Sequence, residues 1–328
     1  MPTIYAATVL VSALLLFLVQ PLIGRYILPW FGGSSAVWSA SQLFFQLLLL
    51  VGYFYSHVIV RRLGRRRQAW VHGILLTVAL ALLLVNGMTW RTPITPGDRW
   101  APQSDRPPLV QILVTLTVSV GLPYVVLSTT TPLVQAWFAG RFPTRSPYPL
   151  YARSNIGSIA ALLAYPMVLE PRLNVQGQAW LWSSGFVLFS LLVVVVVVRL
   201  LRSGTAELDT ATPSDDRVVD AKVMWWHPLM WLSLSACGST LLLGATNQMT
   251  QNVATVPLLW VVPLALYLLT FVLAFARDGF SMRWSVVLLL VAMPALRSAL
   301  VRANALPILV QLGTYAVVVF AGCSVCHG

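Results

Sequence analysis

Apolar runs close to the length of a bilayer crossing recur along the whole chain. Each is closed by charged, proline-rich or glycine-rich residues. The pattern predicts helices over about 4–29, 36–60, 69–88, 109–138, 155–169, 178–201, 228–249, 257–276, 284–303 and 306–325, since roughly 20 apolar residues cross the hydrocarbon core. The expected fold is therefore all-α, a polytopic transmembrane helix bundle of about ten spans. Only one long charged segment interrupts the series. It spans 202–224 and contains Glu207, Asp209, Asp215, Asp216 and Asp220 with little apolar material, the composition of a flexible cytoplasmic linker. It divides a first helix group (1–201, about six spans) from a second (225–328, about four spans).

Polar and helix-breaking residues inside these runs carry most of the functional signal. The first helix is broken at Gln20-Pro21, and a Gly32-Gly33 turn follows it. Gln42 and Gln46 stand four apart and so share a helix face. Between 123 and 157 four hydroxyls (Ser128, Thr129, Thr130, Thr131) precede Pro132 and Gln135. A basic, proline-rich loop over 139–153 follows, and Tyr151, Asn155 and Gly157 open the next helix. Asn247, Gln248, Gln251 and Asn252 lie near Pro257 and Pro263. One reading is interhelical glue, because Ser, Thr, Asn and Gln bond across membrane helices. The other is a solute path beside interrupted helices, lined by Gln20, Gln46, Thr130, Gln135, Tyr151 and Asn155. On the second reading 123–157 is a re-entrant-like corner along the path of a neutral or anionic solute.

Composition agrees with a membrane protein. Of the 328 residues 58% are hydrophobic and only 9% are charged, against about 25% in soluble domains, and mean hydropathy is +0.80. The net charge of +12 comes from arginines set between the spans, where orientation signals sit, with Arg61, Arg62, Arg65, Arg66 and Arg67 the densest group. Roughly two thirds of the 21 basic residues fall on one side of the predicted topology, which favours an N-in, C-in arrangement in the bacterial cytoplasmic membrane. No contiguous basic domain exists to grip nucleic acid. The first apolar run lacks a basic leader and a cleavage site, so it reads as a retained helix.

Carboxylates are missing from mid-span positions, which disfavours a cation-coupled carrier or a polyamine site. Glu170 stands at a helix end, where Arg172 is its expected partner and recognition of an amine the alternative. His57 and His72 flank the arginine cluster and are expected at the interface. His227 follows Trp225-Trp226, which read as an aromatic belt. Cys323-x-x-Cys326-His327 matches the c-type haem attachment pattern, but it is expected at the inner face, closing an apolar helix. It stands only as a remote haem candidate, and no cofactor or metal is assigned. No Ser-His-Asp set, carboxylate pair or His-x-x-x-His pattern suggests enzyme chemistry.

Three stretches taken together carry a resemblance: LVQPLIGRYILPWFGGSSAVWSASQLFFQLLLLVGYFYSH (18–57), STTTPLVQAWF with YARSNIGSIAALLAYP (128–166), and VPLLWVVPLALYLLTFVLAFAR (256–277). They resemble the membrane portion of spermidine-synthase-like fused integral membrane proteins, whose helices are likened to the major facilitator superfamily. The resemblance implies a transporter-like bundle that handles a small solute. It also implies an alternative, a non-catalytic anchor for an aminopropyltransferase-like partner or for a larger membrane complex. Members continue beyond a Cys-His-Gly segment, so the chain reads as truncated at Gly328. It carries no glycine-rich loop of an aminopropyltransferase domain, and none of that chemistry is expected from it.

Overall fold

The computed structural model describes residues 2–32, 35–97, 100–102, 107–202, 224, 226–252, 261–276, 282–301 and 306–327. Among these the regular elements are all helical: α1 (Pro2–Phe31), α2 (Ser35–Arg62), α3 (Arg65–Thr89), α4 (Pro108–Leu116), α5 (Leu122–Arg141), α6 (Tyr148–Ala164), α7 (Glu170–Arg172), α8 (Val175–Arg202), α9 (Trp226–Asn252), α10 (Val261–Ala276), α11 (Met282–Val301) and α12 (Ile308–His327). One π turn, Thr117–Gly121, joins α4 to α5, and another, Tyr165–Leu169, joins α6 to α7. Pro123 and Pro166 stand at these turns, where each removes a helix donor.

The chain is an all-helical, multi-pass membrane protein. Eight helical stretches are long and apolar enough to cross a bilayer, with α4 and α5 forming one of them, Pro108–Arg141. Val261–Phe275 is apolar but shorter. The predicted start of the fifth helix at Asn155 is too late. α6 begins at Tyr148, with Pro149 in its first turn, where proline's fixed φ suits a helix start. Tyr151 and Asn155 are consequently interior to the helix. The expected re-entrant corner is likewise replaced by helix: α5 runs through Pro132 to Arg141.

Two compact units form, Met1–Thr212 and Pro213–Gly328. Apart from its end residues Arg202 and Met224, the predicted linker lies outside the described residues, as do Gly33, Trp225, Pro257 and the side chains of Gln251 and Asn252.

In the first unit α1 is the axis, packed on α5, α6 and α8. Its close neighbours are admitted by glycine. A Cβ on Gly157 of α6 would lie 2.5 Å from the Leu10 carbonyl oxygen, and one on Gly185 of α8 would lie 2.8 Å from Leu15 Cδ2. Trp182 Nε1 of α8 donates to the Leu15 carbonyl at 2.8 Å, and the ring is buried over Phe186. At one end of this unit the loop after α3 folds inward. Thr92, Ile94 and Thr95 are buried, and Tyr26 of α1 donates to the Pro96 carbonyl. At the other end Arg65 Nη1 of α3 donates to the Gly140 carbonyl at 3.0 Å and lies so close that a Cβ at Gly140 would overlap its guanidinium.

In the second unit α12 is central and packs on α9, α10 and α11. α9 and α12 run antiparallel, since Gly238 approaches Cys326 and His327 while Met249 shares a cluster with Tyr315.

Candidate functional site

Pro132 opens the α5 backbone one turn back, because it lacks an N–H and its ring pushes on the Ser128 carbonyl. In lipid such carbonyls need donors from protein. Neighbouring helices supply them next to the break. Ser12 Oγ of α1 donates to the Leu127 carbonyl at 2.9 Å, and Ser56 Oγ of α2 donates to the Thr129 carbonyl at 3.2 Å. α2 comes so near that a Cβ on Gly52 would lie 1.8 Å from Ser128 Oγ.

The hydroxyl run mostly turns back on its own helix. Thr129 and Thr130 both donate to the Val126 carbonyl, at 2.7 and 2.9 Å, and Ser128 donates to that of Val125 at 2.8 Å. Thr131 differs, pairing with Ser154 Oγ of α6 at 3.2 Å. Thr130 is thus buried and locally satisfied.

The other residues expected along a solute path divide. Gln20 Nε2 donates to Tyr124 Oη at 3.2 Å, and Asn155 Nδ2 donates to the Tyr151 carbonyl at 3.1 Å. Gln46 stands away from them, on the exposed face of α2 with Leu43, Leu47 and Leu50. The buried stripe of α2 carries Ser41, Phe45, Gly52 and Ser56, so the face that Gln46 shares with half-buried Gln42 is the wrong one. Gln135 Nε2 is buried and has no hydrogen-bond partner. Its side chain leaves α5 one turn beyond Thr131, on the face turned towards α6. In the second unit Asn247 is exposed and Gln248 half-buried.

A second polar group was not anticipated. His72 was expected at the interface; it is 1% exposed, held edge-on to Trp137 of α5 with ring centroids 6.0 Å apart, and 6.3 Å from the Tyr55 ring of α2. Trp137 Nε1 donates to Gln68 Oε1 at 2.9 Å, and Gln68 Nε2 donates to the Leu63 carbonyl at 2.7 Å. His72 Nδ1 and Tyr55 Oη have no partner. The signal for this group is in the sequence, because Ala69, His72, Leu76, Ala79, Leu83 and Asn86 form a stripe at alternating spacings of three and four, all buried. His57 is exposed, as a helix-end residue should be.

Tyr55, His72 and Gln135 each stand within seven residues, about 10 Å, of the arginine-bearing end of their helices. The end covered by the loop after α3 is the opposite one. At that end Glu170 meets Arg25 (Oε1 to Nη1, 3.9 Å) and not the expected Arg172. Residues two apart on a helix do not face each other. Among the described residues no catalytic constellation is gathered around these groups.

In the second unit Cys323, Cys326 and His327 lie within α12. Cys323 Sγ meets the Gly238 carbonyl at 3.7 Å, Cys326 Cβ lies 3.7 Å from where a Cβ on Gly238 would stand, and His327 Nδ1 pairs with Thr270 Oγ1 at 2.8 Å. The imidazole lies flat on Phe271, with centroids 3.7 Å apart. The motif's side chains therefore pack around Gly238 of α9, and His327 is held in addition by Thr270 and Phe271 of α10. His227 stacks among Trp226 and Trp231, in keeping with an aromatic belt. Among the described residues no three His, Cys, Asp or Glu side chains are grouped to hold a metal ion. No protein-family model matches the chain, and no curated protein is similar to it.

Proposed function

We propose that the first unit handles a small neutral or anionic solute within a transporter-like membrane domain, entering from the arginine-bearing end. The observation that carries this reading is the grouping of three unpartnered polar atoms, Gln135 Nε2, His72 Nδ1 and Tyr55 Oη, at that end of the bundle, against one, Gln178 Oε1, at the other. Each such atom costs roughly 1–3 kcal/mol when it stays unsatisfied. A solute or water that bonds them recovers that cost. Pro132 and the two π turns supply interrupted helices of the kind that frame transport sites. Exposed Arg61, Arg62, Arg66 and Arg67 attract anions to the entrance. With the N-terminus inside, that entrance faces the cytoplasm of a bacterial cell.

The resemblance to spermidine-synthase-like membrane portions supports the architecture in this proposal, and the absence of a mid-span carboxylate turns it away from polyamines. A second reading, a non-catalytic scaffold for a membrane complex or an aminopropyltransferase-like partner, is favoured by the satisfied contacts Ser12–Leu127, Ser56–Thr129 and Thr131–Ser154.

Cysteine accessibility separates the two. In a background with the native cysteines replaced by serine, Gln135→Cys and His72→Cys should react with a small membrane-impermeant thiol reagent applied from the arginine-bearing side. Phe189→Cys, in the apolar core, and Gln46→Cys, on the exposed apolar face of α2, should not. If Gln135→Cys and His72→Cys stay as unreactive as Phe189→Cys from both sides, the solute path is refuted and the scaffold stands.

A further inference from the structure

Where α2 meets α3, only Leu63 and Gly64 separate Arg61 and Arg62 from Arg65, Arg66 and Arg67. The turn is tight. Leu63 N still donates to the Ile59 carbonyl at 3.0 Å, and Gly64 is extended, with φ −62° and ψ 151°. Arg65 is held by the Gly140 carbonyl. Arg61, Arg62, Arg66 and Arg67 are exposed, and no other side chain among the described residues bonds them. Glu170 is the only carboxylate among those residues, and it sits at the opposite end of the unit beside Arg25. The turn therefore carries four positive charges with no counter-charge among the described residues.

The helix faces that lead to these arginines are apolar and equally open. On α2, Leu50, Phe54, His57 and Arg61 follow at spacings of four, three and four, so they share one face, and all are exposed. On α3, Arg67, Val71, Ile74 and Val78 repeat that spacing and are also exposed, with exposed Trp70 one turn in from Arg66. From its end inwards, each helix thus presents guanidinium, then an amphipathic ring (His57 or Trp70), then apolar surface. That order matches the layers of a phospholipid: phosphate, interface, acyl chain. An orientation signal needs only the charges.

We propose that Arg61, Arg62, Arg66 and Arg67 form a docking surface for anionic phospholipid headgroups in the leaflet at the arginine-bearing end, with the acyl chains lying on the apolar stripes of α2 and α3. Guanidinium groups engage phosphate oxygens two bonds at a time. A choline headgroup carries the same phosphate but brings its own cation towards the arginines, so the surface selects lipids of net negative charge. The inference goes beyond the solute path and does not use it. His72 is buried on the inward side of α3, facing Tyr55, whereas the lipid surface is the outward side of both helices.

The test reconstitutes the full chain in phosphatidylcholine bilayers and adds phosphatidylglycerol brominated in its acyl chains, which quenches nearby tryptophan. Trp70→Phe, measured in parallel, isolates the signal of Trp70. That signal should be half-quenched at a several-fold lower fraction of brominated phosphatidylglycerol than of brominated phosphatidylcholine. Each single Arg→Gln change among the four should weaken the preference by up to about fivefold, and the quadruple variant should lose it. Arg145→Gln, in the basic loop at the same end, should keep it. Glycerol 3-phosphate in the aqueous phase, at matched ionic strength, should not relieve the quench. Equal quenching by the two lipids in the wild type overturns the proposal, as does a preference that survives in the quadruple variant. Relief by glycerol 3-phosphate overturns it in favour of a soluble-anion site. A preference that emerges only when Glu207, Asp209, Asp215, Asp216 and Asp220 are made neutral overturns it in favour of the chain's own acidic segment.

Discussion

Gly157→Ala sets two known tendencies against each other at the tightest contact of the α1 axis. Alanine in a helix interior is favoured over glycine by about 1 kcal/mol. At Gly157, however, the added methyl would sit 2.5 Å from the Leu10 carbonyl oxygen and 3.3 Å from its carbon. Both are backbone atoms, so no rotamer change relieves the overlap. Relief requires α1 and α6 to separate by a large fraction of an ångström. α1 is not free to yield, because two and five residues beyond the contact Ser12 bonds α5 and Leu15 bonds Trp182 of α8. Overpacking of this kind costs about 1–3 kcal/mol, and small residues are what permit close membrane-helix crossings. The overlap should therefore outweigh the propensity gain. Gly73 of α3 is the reference, since a Cβ there meets nothing within 4 Å and Gly73→Ala should gain only the propensity term. The assay is thermal unfolding in mild detergent, followed through the 13 tryptophans at a fixed scan rate, because membrane-protein melts are commonly irreversible. Gly157→Ala should melt below the wild type and Gly73→Ala at or above it. If Gly157→Ala melts as high as Gly73→Ala, the close α1–α6 approach is refuted.

Two further perturbations test the same unit. Trp182→Phe keeps the ring packing on Phe186 but removes the donor to the Leu15 carbonyl, and it should lower stability by about 0.5–1.5 kcal/mol in the same melt; no change would place the indole N–H elsewhere. A double-mutant cycle on Arg25→Ala and Glu170→Ala should return a coupling below about 1 kcal/mol that vanishes at high salt, since both side chains are well exposed; a coupling of several kcal/mol would show a desolvated pair.

The helices were legible because hydrophobic length and charge punctuation are local properties of the sequence. Each predicted span has a helical counterpart among the described residues, although only eight stretches there are long and apolar enough to cross a bilayer, and the large boundary error, at Tyr148, came from reading a proline-rich approach as loop where prolines fit a first turn. Which way a polar residue faces is less local. Gln46 was placed inward from its spacing to Gln42, but spacing shows only that two residues share a face. The contact that decides which face is buried, Gly52 against Ser128, lies 76 positions apart in the chain. The same holds for Glu170, whose partner Arg25 is 145 positions away. His72 was misplaced for a different reason: its position near the arginine cluster outweighed its membership in a regular buried stripe.

Reach and helix position explain why the donors of Gln135 and His72 end up unpartnered. Serine and threonine are cheap to bury in a membrane helix, because the hydroxyl can donate to a carbonyl three or four residues back, as Thr8, Ser41, Ser183 and Ser190 all do. Glutamine amides find a related solution at a helix start. Gln68, Gln178 and Gln311 each stand fourth in their helices and each donates Nε2 to the carbonyl five residues earlier, in the entering chain where the helix has not yet claimed it. Gln135 cannot use that device. It lies in the last two turns of α5, where the carbonyls five residues back are already inside the helical ladder. Its donor therefore depends on something outside its own helix, and the protein supplies nothing to Nε2. His72 is in the same position, two turns into α3 and beyond the unclaimed carbonyls of the entering chain. An amide count along the sequence weighs all these residues alike. Helix position separates the amides that bond the chain entering their helix from Gln135, whose donor has no partner.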